Sequence, residues 1–107
     1  MIIVAGTFDL APEHRDEFLA TRHDLQLHSR TESGCVEYVF SADSIDPGRV
    51  RLFEIWQDQA SLDAHGEALR RKREAEAPTD GSAEAAVPIL DRNILVYELA
   101  DGAPRPL

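Results

Sequence analysis

The segment "VRLFEIWQ" puts a carboxylate and the chain's single indole two residues apart, at Glu54 and Trp56, and an imidazole follows at His65. Alternate residues of a strand share a face, so Glu54 and Trp56 point the same way. An inward carboxylate is costly unless it is paired or protonated. It can be bonded to a backbone N–H or to a base such as Arg22, it can orient His65, or it can carry a raised pKa and shuttle a proton. Trp56 is either a core staple between strand and helix or a flat wall for a planar ring, with an N–H to orient an oxygen. His65 is the group best suited to proton chemistry, because histidine titrates near ~6.5 and can accept a proton at neutral pH. A core histidine bonded to a carboxylate fits the same position. Tyr38 either donates a hydrogen bond to a ligand or fills the core. Cys35 follows Gly34 with no neighbouring base and reads as a small hydrophobe rather than a nucleophile.

The elements that must position these groups follow from pattern. "IIVAGTFDL" (2–10) is apolar on both faces at its start and predicts a central strand. "APEHRDEF" opens a helix, with Pro12 in the first turn and Glu13, Asp16 and Glu17 at its positive end. His14, Phe18, Thr21, Leu25 and His28 carry the helical spacing to about Thr31, and Gly34 ends it. "CVEYVFSAD" (35–43) alternates, with Val36, Tyr38 and Phe40 on one side. "SIDPGR" is a turn, and residues 50–57 complete an antiparallel hairpin.

Asp58 caps a second helix whose inward face carries Leu62, His65 or Gly66, and Leu69. "RRKREAEAPTDGSAEAA" reads as a fraying helix end and a loop, most mobile from Glu74 to Val87, with Arg70 to Arg73 as a solvated face. "DRNILVYEL" (91–99) is the last strand, and residues 101–107 form a tail. The order β-α-β-β-α-β predicts an α+β, ferredoxin-like domain over residues 1–100, a four-stranded antiparallel sheet with helices on one face. On the other face Phe53 and Ile55, with Ile3, Ala5 and Val39, are too apolar to be left in water. They predict a homodimer, sheet against sheet about a two-fold axis.

Composition narrows the function. Twenty acids against 11 bases give a net charge of −9, which disfavours nucleic acid and anionic membrane surfaces. The lone cysteine cannot form an internal disulfide, and "MIIVAGTFDL" lacks a basic leader and is too short to span a bilayer, so a cytoplasmic location is expected. The four histidines show no His-x-x-x-His spacing and no Cys/His cluster, and there is no glycine-rich phosphate loop.

Taken in order, "MIIVAGTF", "APEHRDEFL", "ESGCVEYVFSAD", "DPGRVRLFEIWQDQASLDAH" and "NILVYEL" make the chain resemble the antibiotic biosynthesis monooxygenase domains over nearly all of residues 1–100. Glu-x-Trp at Glu54 and Trp56, followed by Ala64-His65, is the most specific element. The resemblance implies a dimeric α+β barrel with a cavity between sheet and helices in each subunit. It also implies oxidation of a small aromatic hydroquinone or phenol by dioxygen to a quinone, without metal, flavin or other cofactor. On that basis His65 is the base or proton shuttle and Glu54 its orienter. Trp56 and Tyr38 supply the ring wall and hydrogen-bond donors, while Leu52 and Leu62 make the pocket less polar than in quinone-forming members. Two alternatives stand beside this: a non-catalytic module binding a small aromatic or isoprenoid ligand, and a haem-binding or haem-degrading protein of the same fold.

Overall fold

The computed structural model describes residues 1–76, 87–100 and 104–107. Strand β1 (Ile2–Asp9) is followed by a single 3-10 turn (Pro12–His14), helices α1 (Arg15–Thr21) and α2 (His23–Ser29), and strands β2 (Cys35–Ala42) and β3 (Arg49–Trp56). Helix α3 (Gln59–Glu76) and strand β4 (Asp91–Glu98) complete the chain. The strands form one sheet in the order β2-β3-β1-β4, antiparallel throughout. This is the ferredoxin-like α+β arrangement.

Register decides what faces the helices. Ile2 lies opposite Trp56, Val4 opposite Glu54, Gly6 opposite Leu52 and Phe8 opposite Val50. Tyr38 and Phe40 extend the same rows on β2. The apolar side chains of these rows, with Leu10 and Phe18, are the buried core. Burying each large apolar side chain stabilises the fold by roughly 1.5–3 kcal/mol. Phe8, Phe18 and Phe40 form a triad with ring centroids 5.3–6.2 Å apart. Gly6 is required where β1 meets β4, because a Cβ there would overlap the Asn93 carbonyl oxygen and lie 2.7 Å from Ile94 Cα.

Three expectations are corrected. The first helix is not continuous to Thr31 but breaks at Arg22. There the Thr21 hydroxyl donates to the Phe18 carbonyl (2.6 Å) and the Arg22 N–H donates to Leu19 (3.1 Å), so the turn tightens before α2 restarts. Val36 does not share the inward row of Tyr38 and Phe40. The register shifts between Cys35 and Glu37, Val36 becomes the extra residue of a bulge and is 53% exposed, and Cys35 packs against the core instead. Finally, the run Arg70–Arg73 does not fray. It belongs to α3, where Glu67 pairs with Arg70 and Arg71, and Glu74 with Arg70. Most of the 74–87 stretch expected to be mobile, and residues 101–103 of the tail, lie outside the described residues.

The outer face carries Ile3, Ala5, Val39, Phe53 and Ile55, with Leu95 opposite Ala5 and Tyr97 opposite Ile3. Leu95 and Tyr97 are each about half exposed. Among the described residues no helix is long and apolar enough to cross a membrane.

Candidate active site

Glu54 enters the site from β3, whose pleat directs it with Leu52 and Trp56 toward the helices. Its carboxylate, 5% exposed, accepts a hydrogen bond from the indole Nε1–H of Trp56 at 2.8 Å. Burial raises the Glu54 pKa above the ordinary carboxylate value. The indole donor and the nearby His65 oppose that rise, and Glu32 adds to it.

His65 comes from α3. Asp58 starts this helix by accepting the Ser61 N–H (2.8 Å) and hydroxyl (2.7 Å), which fixes the entry of the helix onto the sheet. His65 is 3% exposed. Its ring stacks obliquely on Trp56 (centroids 4.7 Å, 36°) and lies 5.3 Å from the Tyr38 ring. Its Nδ1 is 2.8 Å from Oε1 of Glu32.

Glu32 sits in the turn between α2 and β2. Its N–H donates to Ser29 (3.1 Å) and its carbonyl accepts from Cys35 (3.1 Å), so the backbone is held on both sides. Gly34 (φ 84°) reverses the chain there, and a Cβ at Gly34 would overlap the Ser61 hydroxyl. The turn can therefore approach α3 closely enough for Glu32 to reach His65. An ionised carboxylate only accepts, so Nδ1 carries a proton and, in the neutral ring, Nε2 is bare.

The assigned roles change accordingly. Glu54, expected to orient His65, to pair with a backbone N–H or Arg22, or to carry a raised pKa, does carry the raised pKa but holds the Trp56 indole rather than His65 or Arg22. Glu32, which sequence reasoning passed over as part of a helix-ending "ESGC", is the carboxylate on His65. Trp56, expected as the ring wall, is fully buried beneath His65, whose imidazole separates it from the cavity that His65 lines. Tyr38, Leu52, Glu54, Leu62 and His65 do meet in one cavity between sheet and helices, of about 560 Å³. Burial, and the carboxylate of Glu54 across the strand pair, raise the Tyr38 pKa, so the phenol stays neutral and able to donate.

The cavity is also less greasy than Leu52 and Leu62 suggest. Arg22, Lys72, Arg73 and Arg92 line it as well. The first of these comes from the α1–α2 break, two from the part of α3 expected to be solvated, and one from β4. Among the described residues, no three His, Cys, Asp or Glu side chains are grouped so that they could hold a metal ion.

Comparison with known proteins fits this architecture. Residues 1–73 match the sequence profile of the antibiotic biosynthesis monooxygenase family. The chain belongs to that family. It is 36% identical over 64 residues to the protein sll1783 of Synechocystis, and this match spans 60% of the chain and 44% of that relative. It is 31% identical over 67 residues to YcnE of Bacillus subtilis, over 63% of the chain and 70% of YcnE. Among solved structures, PA3566 of Pseudomonas aeruginosa is similar at 27% identity and a TM-score of 0.66, covering 92% of this chain and 94% of that one. Rv0793 of Mycobacterium tuberculosis shares the fold at 23% identity and a TM-score of 0.66, covering 96% and 98% of the two chains.

Proposed function

We propose that the chain is a monooxygenase that oxidises a small electron-rich phenol or hydroquinone with dioxygen to a quinone, using no metal or flavin, in the cavity between sheet and helices. The observation that carries this is His65, which lines that cavity while Glu32 holds its Nδ1 from behind, within a chain of the monooxygenase family. His65 Nε2 takes the phenolic proton, and Glu32 stabilises the imidazolium that forms. In a phenol or hydroquinone with a free ring C–H opposite the ionised oxygen, the phenolate gives one electron to dioxygen, and the two radicals join at that carbon. His65 returns its proton to the new peroxide. The ring C–H is then lost as a proton while the O–O bond breaks and hydroxide leaves. One oxygen atom ends in the quinone and the other in water, so no outside reductant is needed. Tyr38, kept neutral, is the donor available to the phenolate oxygen. Aerobic turnover of a quinol and phenol panel, against an anaerobic control, tests the reaction. His65→Gln should abolish most of the dioxygen-dependent rate, and an unchanged rate excludes His65 as the base.

The assembly belongs to the same proposal. A four-stranded sheet of this length covers roughly 20 by 25 Å. Its outer face carries Ile3, Val39, Phe53, Ile55 and Leu95 with little charge at the centre. Two copies packed face to face would remove this surface from water at ~25 cal/mol per Å² of apolar area. A second copy presents the matching surface by symmetry.

A further inference from the structure

The basic groups of the chain are not spread evenly. The sequence holds 11 lysines and arginines against 20 acids, yet four of the 11, Arg22, Lys72, Arg73 and Arg92, line one cavity. Elsewhere, the tail's Arg105 apart, the arginines are answered. Arg49 pairs with Asp9, Arg51 with Asp43, and Arg70 and Arg71 with Glu67, while Arg15 and Arg30 donate to backbone carbonyls. Among the described residues, none of the four cavity cations makes an ion pair. Of the cavity's two carboxylates, Glu54 is occupied by the Trp56 indole and Glu76 is exposed at the end of α3.

Two of these cations lie over one aromatic surface. The Arg22 guanidinium carbon is 4.4 Å from the Phe18 ring centroid and 6.0 Å from that of Phe40. Arg92 lies 5.7 Å from the ring of Phe8, and the Phe8 and Phe18 centroids are 5.3 Å apart. The only side-chain hydrogen bond from Arg22 among the described residues is a long one, 3.4 Å to the Thr21 hydroxyl. Its remaining N–H donors therefore have no acceptor among the described side chains. Burial and the nearby Arg73 both disfavour its charge. Arg22 and Arg73 are like charges near one another with no ion pair among the described residues, an arrangement that is costly. An anion placed between them would relieve that cost and form charge-assisted hydrogen bonds.

We infer that the cavity is built for an anionic aromatic ligand: a planar phenol or hydroquinone carrying a carboxylate, its ring near Tyr38, Leu52 and His65 and its carboxylate held by Arg22 and Arg92. The inference rests on the cavity being the substrate site, and it sets which substrates enter. A neutral quinol would leave both guanidinium groups unanswered. Lys72 and Arg73, exposed on α3, would draw the anion in from a molecule whose overall charge repels it.

Binding without dioxygen separates this inference from the oxidation itself. The probes are 1-hydroxy-2-naphthoate and its methyl ester, which share a ring and differ in one charge, titrated anaerobically by calorimetry at low and high sodium chloride. The carboxylate should bind about ten- to a hundredfold more tightly at low salt, with the ratio shrinking as salt rises. Arg92→Gln, on an exposed strand position, should remove most of the preference for the carboxylate over the ester. Lys72→Gln should weaken carboxylate binding by a few-fold, and Arg70→Gln, whose partners are Glu67 and Glu74, should change neither ligand. Equal affinity for the two ligands, or binding of neither, overturns the inference. A preference for the carboxylate without aerobic turnover leaves the anion site standing and removes the oxidation. Turnover of both ligands with equal affinity does the reverse.

Discussion

Replacing Glu32 is the most informative single change, because Glu32 touches His65 and lines no part of the cavity. The Nδ1–Oε1 distance is 2.8 Å, the imidazole is 4% exposed and the carboxylate 18% exposed. A hydrogen bond to a charged group contributes about 1.5–3 kcal/mol, and ~1.36 kcal/mol is a tenfold change in rate. If most of that interaction is expressed when the imidazolium forms, Glu32→Ala should lower kcat by about ten- to a hundredfold. The residual exposure of the carboxylate favours the lower half of that range, through solvent screening. KM should change by less than about threefold, because no contact to the ligand is lost. Glu32→Gln keeps an oxygen for the Nδ1–H and loses the charge, so its rate should fall between the two. The assay is aerobic oxidation of 1-naphthol followed by quinone absorbance. A nitrogen-15 spectrum of the imidazole provides an independent readout: the wild type should show the Nδ1–H form, and Glu32→Ala should mix in the Nε2–H form. An unchanged kcat in a folded Glu32→Ala protein would refute the reasoning, and so would a loss confined to KM.

His65→Gln should slow oxidation of the same phenol by about a hundredfold or more while the protein remains folded, as judged by circular dichroism. Burial raises the Glu54 pKa, so the folded chain holds this proton more tightly than the unfolded chain does. The stability contributed by Glu54 is therefore greatest on the acid side and falls as pH rises from the unfolded carboxylate value through the raised folded value. Glu54→Gln, which can still accept the Trp56 N–H, should flatten that fall and give a Tm at neutral pH no lower than wild type; calorimetry across the acid-to-neutral range checks the sign. Phe53→Asp should convert a dimer into a monomer or an aggregate in sedimentation velocity, and a wild-type monomer at micromolar concentration would contradict the assembly. Gly6→Ala forces a Cβ against the Asn93 carbonyl and should cost about 1–3 kcal/mol or more by separating β1 from β4, measured by urea unfolding.

The strands were legible because period-two alternation is strong in β3: Val50, Leu52, Glu54 and Trp56 are all buried, and the residues between them are not. Alternation cannot announce an extra residue, so it places Val36 on the inward face, whereas the bulge at Cys35/Glu37 turns it out. The break at Arg22 was hidden because Phe18, Leu25 and His28 keep helical spacing across it, and a hydroxyl–carbonyl bond within one turn leaves no periodic trace. His65 and Glu54 could be singled out as buried polar groups, but their partners could not. Pattern casts Glu54 as the orienter of His65 and Trp56 as a wall for a ligand; two residues apart on a strand, they satisfy each other instead. Glu32 lies 33 residues from His65 in sequence and meets it only because the turn at Gly34 packs against Ser61. The cationic lining was equally out of reach, since its members come from α3, β4 and the α1–α2 break, elements whose juxtaposition only the fold defines.

The central claim is an oxygen atom transferred from dioxygen by the chain's own side chains. It is tested most directly by supplying chelator-treated, flavin-free protein with 1-naphthol under isotopically heavy dioxygen and weighing the product. Naphthoquinone carrying a single heavy oxygen, formed with water rather than hydrogen peroxide and lost in His65→Gln, is the predicted result. A quinone whose new oxygen comes from solvent, peroxide released in step with the quinone, or no oxygen consumption across the phenol panel would contradict it.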